Sequence, residues 1–271
     1  MKSSGFLAAC SCGLALALMA FATAAMAGGS PEGMVVIPAG VYRPLMRGKE
    51  DAAAVPVKSF YLDVQPVSNG DFLEFVRAEP QWRRSNVRRI FADATYLKDW
   101  VGDLDPGSNA PAAQAVVNVS WFAAKAFAKW HGKRLPTVAE WELAADASPE
   151  RPDGGNDPRF KAEVLKWYCQ GGRTVPADMK SDSGPSRAVK NFYGVRALHG
   201  FIWEWVEDFN SAVFSSDSRS ASAEGRLFCG AGAQSAQRVD DYPAFMRFAF
   251  RSSLRANYCI RDLGFRCARD L

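Results

Sequence analysis

Gly132-Lys133-Arg134-Leu135-Pro136-Thr137-Val138-Ala139-Glu140-Trp141-Glu142-Leu143 is the stretch whose reading decides the fold. Thr137 followed three residues later by Glu140 predicts a capping box, with the hydroxyl taking the Glu140 amide and the carboxylate returning to the Thr137 amide. Pro136 has no N–H and favours an extended chain before it, so the helix should begin sharply after Thr137. Pro136 and Trp141 stand at the N′ and N4 positions of a hydrophobic staple. Alone, the stretch would suit any well-capped surface helix. Its neighbours argue for more.

Immediately upstream, Ser120 predicts the start of a helix running through Trp130, with Ala123, Ala126, Phe127 and Trp130 on one side and Lys125 and Lys129 toward water. Gly132 then reads as a left-handed C-cap. Two amphipathic helices this close must share a core. Further upstream, Ser68 with Asp71 at N3 forms a second capping box, and Phe72, Phe75 and Val76 give that helix one apolar stripe. Met34 to Gly40 reads as a short strand ended by a proline-glycine turn, and Val57 to Val64 as a second strand with Phe60 and Leu62 on one face. Residues 79–118 and 147–189 are rich in Pro, Gly, Asp, Asn and Ser and read as loops, apart from a short apolar piece near Val164 to Tyr168. Loops this long in a compact domain point to binding or to a bound ion.

The flanking composition sets limits. Lys2, the apolar run Leu14 to Phe21 and Ala25-Met26-Ala27 read as a signal peptide of residues 1–27, cleaved after Ala27, which implies a periplasmic or secreted protein with no membrane span. The remaining 244 residues suit one large or two small domains. Losing Lys2 lowers the net charge from +4 to +3, too mild a balance to call for a polyanionic partner, and no nucleic-acid role is expected. Cys169, Cys229, Cys259 and Cys267 remain, with three full pairings open and no CxxC pair among them. Only two histidines exist, His131 and His199, which excludes a three-histidine metal site.

Gly200-Phe201-Ile202-Trp203-Glu204-Trp205 places a carboxylate between two indoles. Unpaired burial would be costly. Calcium, an arginine partner, or simple exposure of Glu204 would each resolve it.

Together these pieces resemble one family. Met34-Val-Val-Ile-Pro-Ala-Gly, Val67-Ser-Asn-Gly-Asp-Phe, Val119-Ser-Trp, the Gly132 stretch, Gly200-Phe-Ile-Trp-Glu-Trp and Leu263-Gly-Phe-Arg-Cys are similar, in order, to the blocks of the formylglycine-generating enzyme or sulfatase-modifying factor family. The resemblance implies an α+β fold: a single compact domain over residues 28–271, related to the C-type-lectin fold and low in regular secondary structure. It also implies a possible structural calcium ion held by the Glu204 carboxylate and the Gly200 and Ile202 carbonyls, although Phe201 stands where the family has asparagine.

The chemistry departs from the family. Formylglycine-generating enzymes bind copper(I) through two cysteines, and soft thiolates are what that metal requires. Arg238 and Pro243 stand at those two positions here, so copper is not expected. Cys229 lies nearby but one thiol does not restore the pair. The pocket candidates are Asp240, Asp241, Tyr242 and Arg251 as acid/base or catalytic groups, lined by Cys229, Arg247, Ser252 and Ser253. A structural salt-bridge cluster of the same residues is the competing reading. The pattern is similar to the exported branch without the cysteine pair, typified by the PvdO and NirV proteins. It implies a tailoring or maturation factor, linked either to oxidation of a siderophore chromophore or to an accessory role for nitrite reductase. The partner would be a peptide, a small polar substrate or a periplasmic metalloprotein. A non-catalytic module that binds a peptide, glycan or metalloprotein is the alternative.

Overall fold

The computed structural model describes residues 30–44, 54–169, 185, 188–210 and 242–271. The segment 1–27, and Cys229, Arg238, Asp240 and Asp241, lie outside the described residues.

Side-chain caps determine where the helices begin. Ser68 accepts from the Asp71 amide and Asp71 returns to the Ser68 amide, opening α1 at Asn69–Ala78. Ser120 accepts from the Ala123 amide and opens α2, Trp121–Trp130. Thr137 and Glu140 complete the expected capping box of α3, Val138–Ala145. Between α2 and α3 the chain reverses at Gly132, whose φ of +64° suits a residue without a Cβ.

The strands are short. The strand at the start of the chain is β1, Met34–Ile37, but Gly40 does not close a turn: it opens β2, Gly40–Tyr42, which pairs antiparallel with β3, Val55–Val57. β4, Phe60–Asp63, is flanked by β1 and by β7, Ala268–Asp270, in a three-stranded antiparallel sheet. Phe60 and Leu62 are both buried, as their shared face requires. β5, Trp203–Trp205, lies parallel to β6, Leu263–Phe265, with Glu204 opposite Gly264. The result is a single domain of mixed helix and strand, low in regular structure.

One aromatic cluster joins the elements. Phe72 of α1 stacks on Phe127 of α2 with ring centroids 5.7 Å apart, and Phe127 meets Phe265 of β6 edge-on at 5.3 Å. Trp130 was expected in this stripe but sits at its rim, 40% exposed. The long irregular stretch 79–118 keeps its backbone bonded without a ladder, as buried amides must. The buried Asn69 side chain donates to the carbonyls of Pro111 and Gln114 and accepts from the Trp100 indole.

The second expected loop contains a helix. α4 runs from Pro158 to Cys169. Asp157 accepts from the amides of Arg159 and Phe160, and Pro158 occupies the first turn, where its missing N–H costs nothing. Phe160, Val164, Trp167 and Tyr168 follow at helical spacing, a stripe hidden by the Pro, Gly, Asp and Ser on both sides. α5, Tyr242–Ser252, packs beside α4. Among the described residues no helix is long and apolar enough to cross a membrane.

Gly264 is where the core tolerates least. A Cβ there would lie 2.3 Å from the Val116 carbonyl oxygen and 2.8 Å from Ile202 Cδ1. Gly264→Ala is therefore expected to cost about 2–3 kcal/mol or more by forced overpacking, read as a lower denaturation midpoint. Gly132→Ala, with no neighbouring atom within 4 Å, should lose only about 1–2 kcal/mol from its left-handed backbone.

Candidate functional site

α3 presents Trp141 and Glu142 toward α4 and α5, and a charged cluster forms where the three helices meet. Arg247 and Arg251, one turn apart on α5, both reach Glu142. Arg247 Nε lies 2.8 Å from Oε1 and its Nη2 2.6 Å from Oε2, while Arg251 Nη1 lies 2.6 Å from Oε1. Arg247 also donates to the Tyr168 hydroxyl of α4 at 3.2 Å. Both guanidinium groups sit over the Trp141 ring, at 5.7 Å and 5.0 Å from its centroid.

The electrostatics follow from burial and from these charges. Burial alone would raise the Glu142 carboxyl, but Arg247 and then Arg251 outweigh it and hold it down at about 2. Tyr42 of β2 is pushed up to about 12 by burial and then by Glu142. Burial likewise raises the Tyr168 phenol. His199 is pulled down to about 4 by burial and then by Arg247, so its ring is neutral at pH 7. A carboxylate with both oxygens engaged and so low a pKa is no general base near neutrality. Both guanidinium groups share this one carboxylate, and Asp146 lies within electrostatic reach of Arg247.

A second ion pair lies deeper. Glu204 of β5 and Arg266, just past β6, meet as a two-pronged fork: Nε to Oε2 and Nη2 to Oε1, each 2.7 Å. The Trp141 indole donates to Glu204 Oε2 at 2.8 Å. Both charged side chains are 0% exposed. Of the three ways to accommodate Glu204, the arginine partner is the one found. Calcium does not fit at this carboxylate. Both oxygens are taken, and a buried guanidinium already supplies the positive charge a divalent ion would have to face. Gly200 and Ile202 flank this pair in sequence, and their carbonyls would need the Glu204 oxygens to complete a calcium shell.

The expected pocket residues part company. Tyr242 opens α5 half-buried, followed by buried Pro243. Arg247 and Arg251 are brought together, but around Glu142. Ser252 donates to the Phe248 carbonyl and Ser253 to the Phe250 carbonyl, so both hydroxyls serve their own helix. Cys259 and Cys267 are free and buried. Burial raises both thiols, with Asp93 adding to the effect at Cys259 and Asp63 at Cys267. Glu142, Tyr168, Tyr42 and His199 are members that sequence reasoning missed. The available signal was Glu142 itself, a carboxylate beside a tryptophan in the apolar helix Val138–Ala145, which demands a cation. Arg247 and Arg251 at i, i+4 supply it.

The mixed helix-and-strand single domain agrees with the family that comparison shows. The sulfatase-modifying factor enzyme 1-like domain matches residues 20–271, and the chain belongs to that family. It is similar to the formylglycine-generating enzyme of Streptomyces coelicolor, 34% identical with 82% of each chain covered. It is also similar to that of Thermomonospora curvata, 29% identical over 88% of this chain and 94% of the other. The inactive C-alpha-formylglycine-generating enzyme 2 of Bos taurus is 30% identical over 82% of this chain and 80% of its own. Among solved structures, CarF aligns with a TM-score of 0.41 and 18% identity over 89% of this chain and 99% of that one. PvdO from Pseudomonas aeruginosa aligns with a TM-score of 0.38 and 18% identity over 88% and 94%.

Glu142→Gln strands two buried guanidinium groups and should cost about 3–5 kcal/mol. The folded carboxyl, near 2, lies below its ordinary value of 4.5. The stabilisation it provides is therefore fully present above pH 4.5 and is lost as pH falls toward 2. Urea denaturation at pH 3, 5 and 7 should show the gap between wild type and Glu142→Gln narrowing at the acid end.

Proposed function

We propose that this protein is an exported formylglycine-generating-enzyme-like factor that does not make formylglycine by a copper–thiolate route. It acts instead as a tailoring or maturation factor of the PvdO and NirV type, on a peptide or small polar substrate. The observation that carries this reading is the donor set. On the family resemblance, Arg238 and Pro243 fall where the copper-binding cysteines would stand. The two thiols that the structure describes, Cys259 and Cys267, are buried and their pKa values are raised by that burial, which disfavours thiolate ligation of copper(I) by either of them. Export rests on the basic, apolar and small-residue pattern of residues 1–27.

In this reading Asp240, Asp241 and Tyr242 line the substrate pocket and manage its protons, while Arg247 and Arg251 hold the pocket wall through Glu142. A second reading, a binding module without turnover, is favoured by one feature of the cluster. Both arginines are committed to Glu142 and both neighbouring serines to their own helix. The bovine relative described as inactive is in keeping with a family scaffold that has lost its reaction.

Two measurements test the proposal. Copper(I) titration of the reduced protein is expected to give no stoichiometric thiolate complex, and incubation with copper and a cysteine-containing sulfatase peptide is expected to give no aldehyde by mass spectrometry. Either a thiolate charge-transfer band at one equivalent or aldehyde formation would overturn it. For the two readings, Asp240→Asn, Asp241→Asn and Tyr242→Phe should abolish product formation from a periplasmic peptide extract and leave peptide capture intact if the protein is an enzyme. Capture without any product from the unmutated protein selects the binding module.

A further inference from the structure

The net charge of +4 conceals a local concentration of cations on one surface. Trp82, Phe91, Phe122 and Trp121 form a half-buried row there, with centroid steps of 6.0, 5.4 and 5.5 Å. α2 supplies Phe122 and Trp121, and the irregular stretch 79–118 supplies Trp82 and Phe91. The 255–258 segment borders the row: the Trp121 amide donates to the Ala256 carbonyl, and the Asp93 amide to the Asn257 carbonyl. Cations stand over ring faces along this surface. Arg88 lies 5.7 Å from the Phe91 centroid, Lys125 4.6 Å from that of Trp121, and Arg255 5.8 Å from that of Tyr258.

The arginines of this region divide by what they hold. Arg83 donates to the Val76 carbonyl at 3.2 Å and Arg84 to the Trp100 carbonyl at 2.6 Å, so both staple the backbone. Arg88 and Arg255 are exposed, and among the described residues neither guanidinium has an ion pair or a hydrogen bond. Arg89, also exposed, uses one N–H on the Asp93 carbonyl. The neighbouring carboxylates are already engaged: Glu207 pairs with Lys125, and Asp93 accepts from the Thr95 hydroxyl and the Cys259 amide. A guanidinium held over a ring keeps its planar fork of donors ordered before a partner arrives, which lowers the entropy cost of gripping a carboxylate.

We propose that this surface docks an acidic peptide segment of a partner protein, its carboxylates meeting Arg88 and Arg255 and its apolar side chains lying against Ile90 and the ring row. Charge complementarity selects that occupant, and two other anionic surfaces fit less well. A single-stranded nucleic acid needs open ring faces for its bases. Here the Phe91 and Trp121 faces carry cations, and both rings meet Phe122 edge-on, at 72° and 77°. A bilayer needs a broad apolar face to bury. Between Arg83 and Phe91 only Ile90 projects, 60% exposed, and the rings beside it are half-buried. The inference concerns docking, and it holds with or without turnover.

The probe is a short fluorescein-labelled peptide of glutamate and phenylalanine, followed by fluorescence anisotropy as the full chain is titrated in. Saturable binding is expected, and it should weaken as salt rises and screens the exposed charges. The same peptide with lysine for glutamate should not bind, and one with serine for phenylalanine should bind more weakly. Arg88→Gln and Arg255→Gln should each weaken binding about three- to ten-fold, the range of one exposed charge-assisted contact. Arg159→Gln, an exposed change on α4, should leave it as it was. Because Arg88 and Arg255 are exposed, their variants should keep the wild-type urea midpoint, which separates a lost contact from a lost fold. No saturable binding, equal binding of the lysine peptide, or wild-type affinity in both arginine variants overturns the proposal. Arg88-dependent binding of an oligonucleotide or of phosphatidylglycerol vesicles, without binding of the acidic peptide, overturns it as well.

Discussion

Arg266 is held by five acceptor contacts in a space with no exposure, and much of the domain is arranged to provide them. Its fork grips Glu204 of β5, its Nη1 reaches the carbonyls of Asp63 and Val64 at the end of β4, and its Nη2 reaches the Arg196 carbonyl. A guanidinium has five N–H donors in a rigid plane, which is why arginine and not lysine can tie several segments at one point. The ion pair itself adds little net stability over a packed apolar core. Its effect is to fix which segments meet, since any other arrangement would leave a buried charge unanswered.

Trp141 connects this centre to the charged cluster at the helices. Its N–H donates to Glu204, and its ring face lies under Arg247 and Arg251. One indole thus touches both ion pairs, and α3 is positioned by what lies on each side of it. The capping box at Thr137 determines where α3 begins and, with it, the direction in which Trp141 and the adjacent Glu142 project. The local signal at the start of one helix therefore governs the placement of two buried carboxylate–arginine systems.

That connection also explains what the sequence makes legible. α1, α2 and α3 can be read directly because Ser68, Ser120 and Thr137 act within three residues of their targets, and α1 and α2 repeat their apolar stripes at helical spacing. α4 escapes because its cap, Asp157, and its stripe are embedded in turn-forming residues that dominate a local reading. The Glu142 cluster escapes for a different reason: its partners lie 105 and 109 residues away, and no local pattern specifies a pairing at that range. Arg247 and Arg251 are recognisable as important, yet their role depends on a carboxylate that nothing in their own helix identifies. The Glu204 fork was legible as one of three alternatives, and only the fold chooses among them. The sheet's outer order was likewise closed to a local reading, since β7 reaches β4 from the far end of the chain.

The placement of β7 has a consequence for the order of events during synthesis. Ala268–Asp270 pairs with Phe60–Asp63, and the Cys267 amide bonds the Asp63 carboxylate across 204 positions of sequence. Arg266 arrives in that same final segment. Until residues 266–270 are available, the chain lacks both the strand that completes the three-stranded sheet and the cation that Glu204 awaits. Such long-range closure slows folding, because the entropy of bringing the two strands together must be met before their contacts reward it.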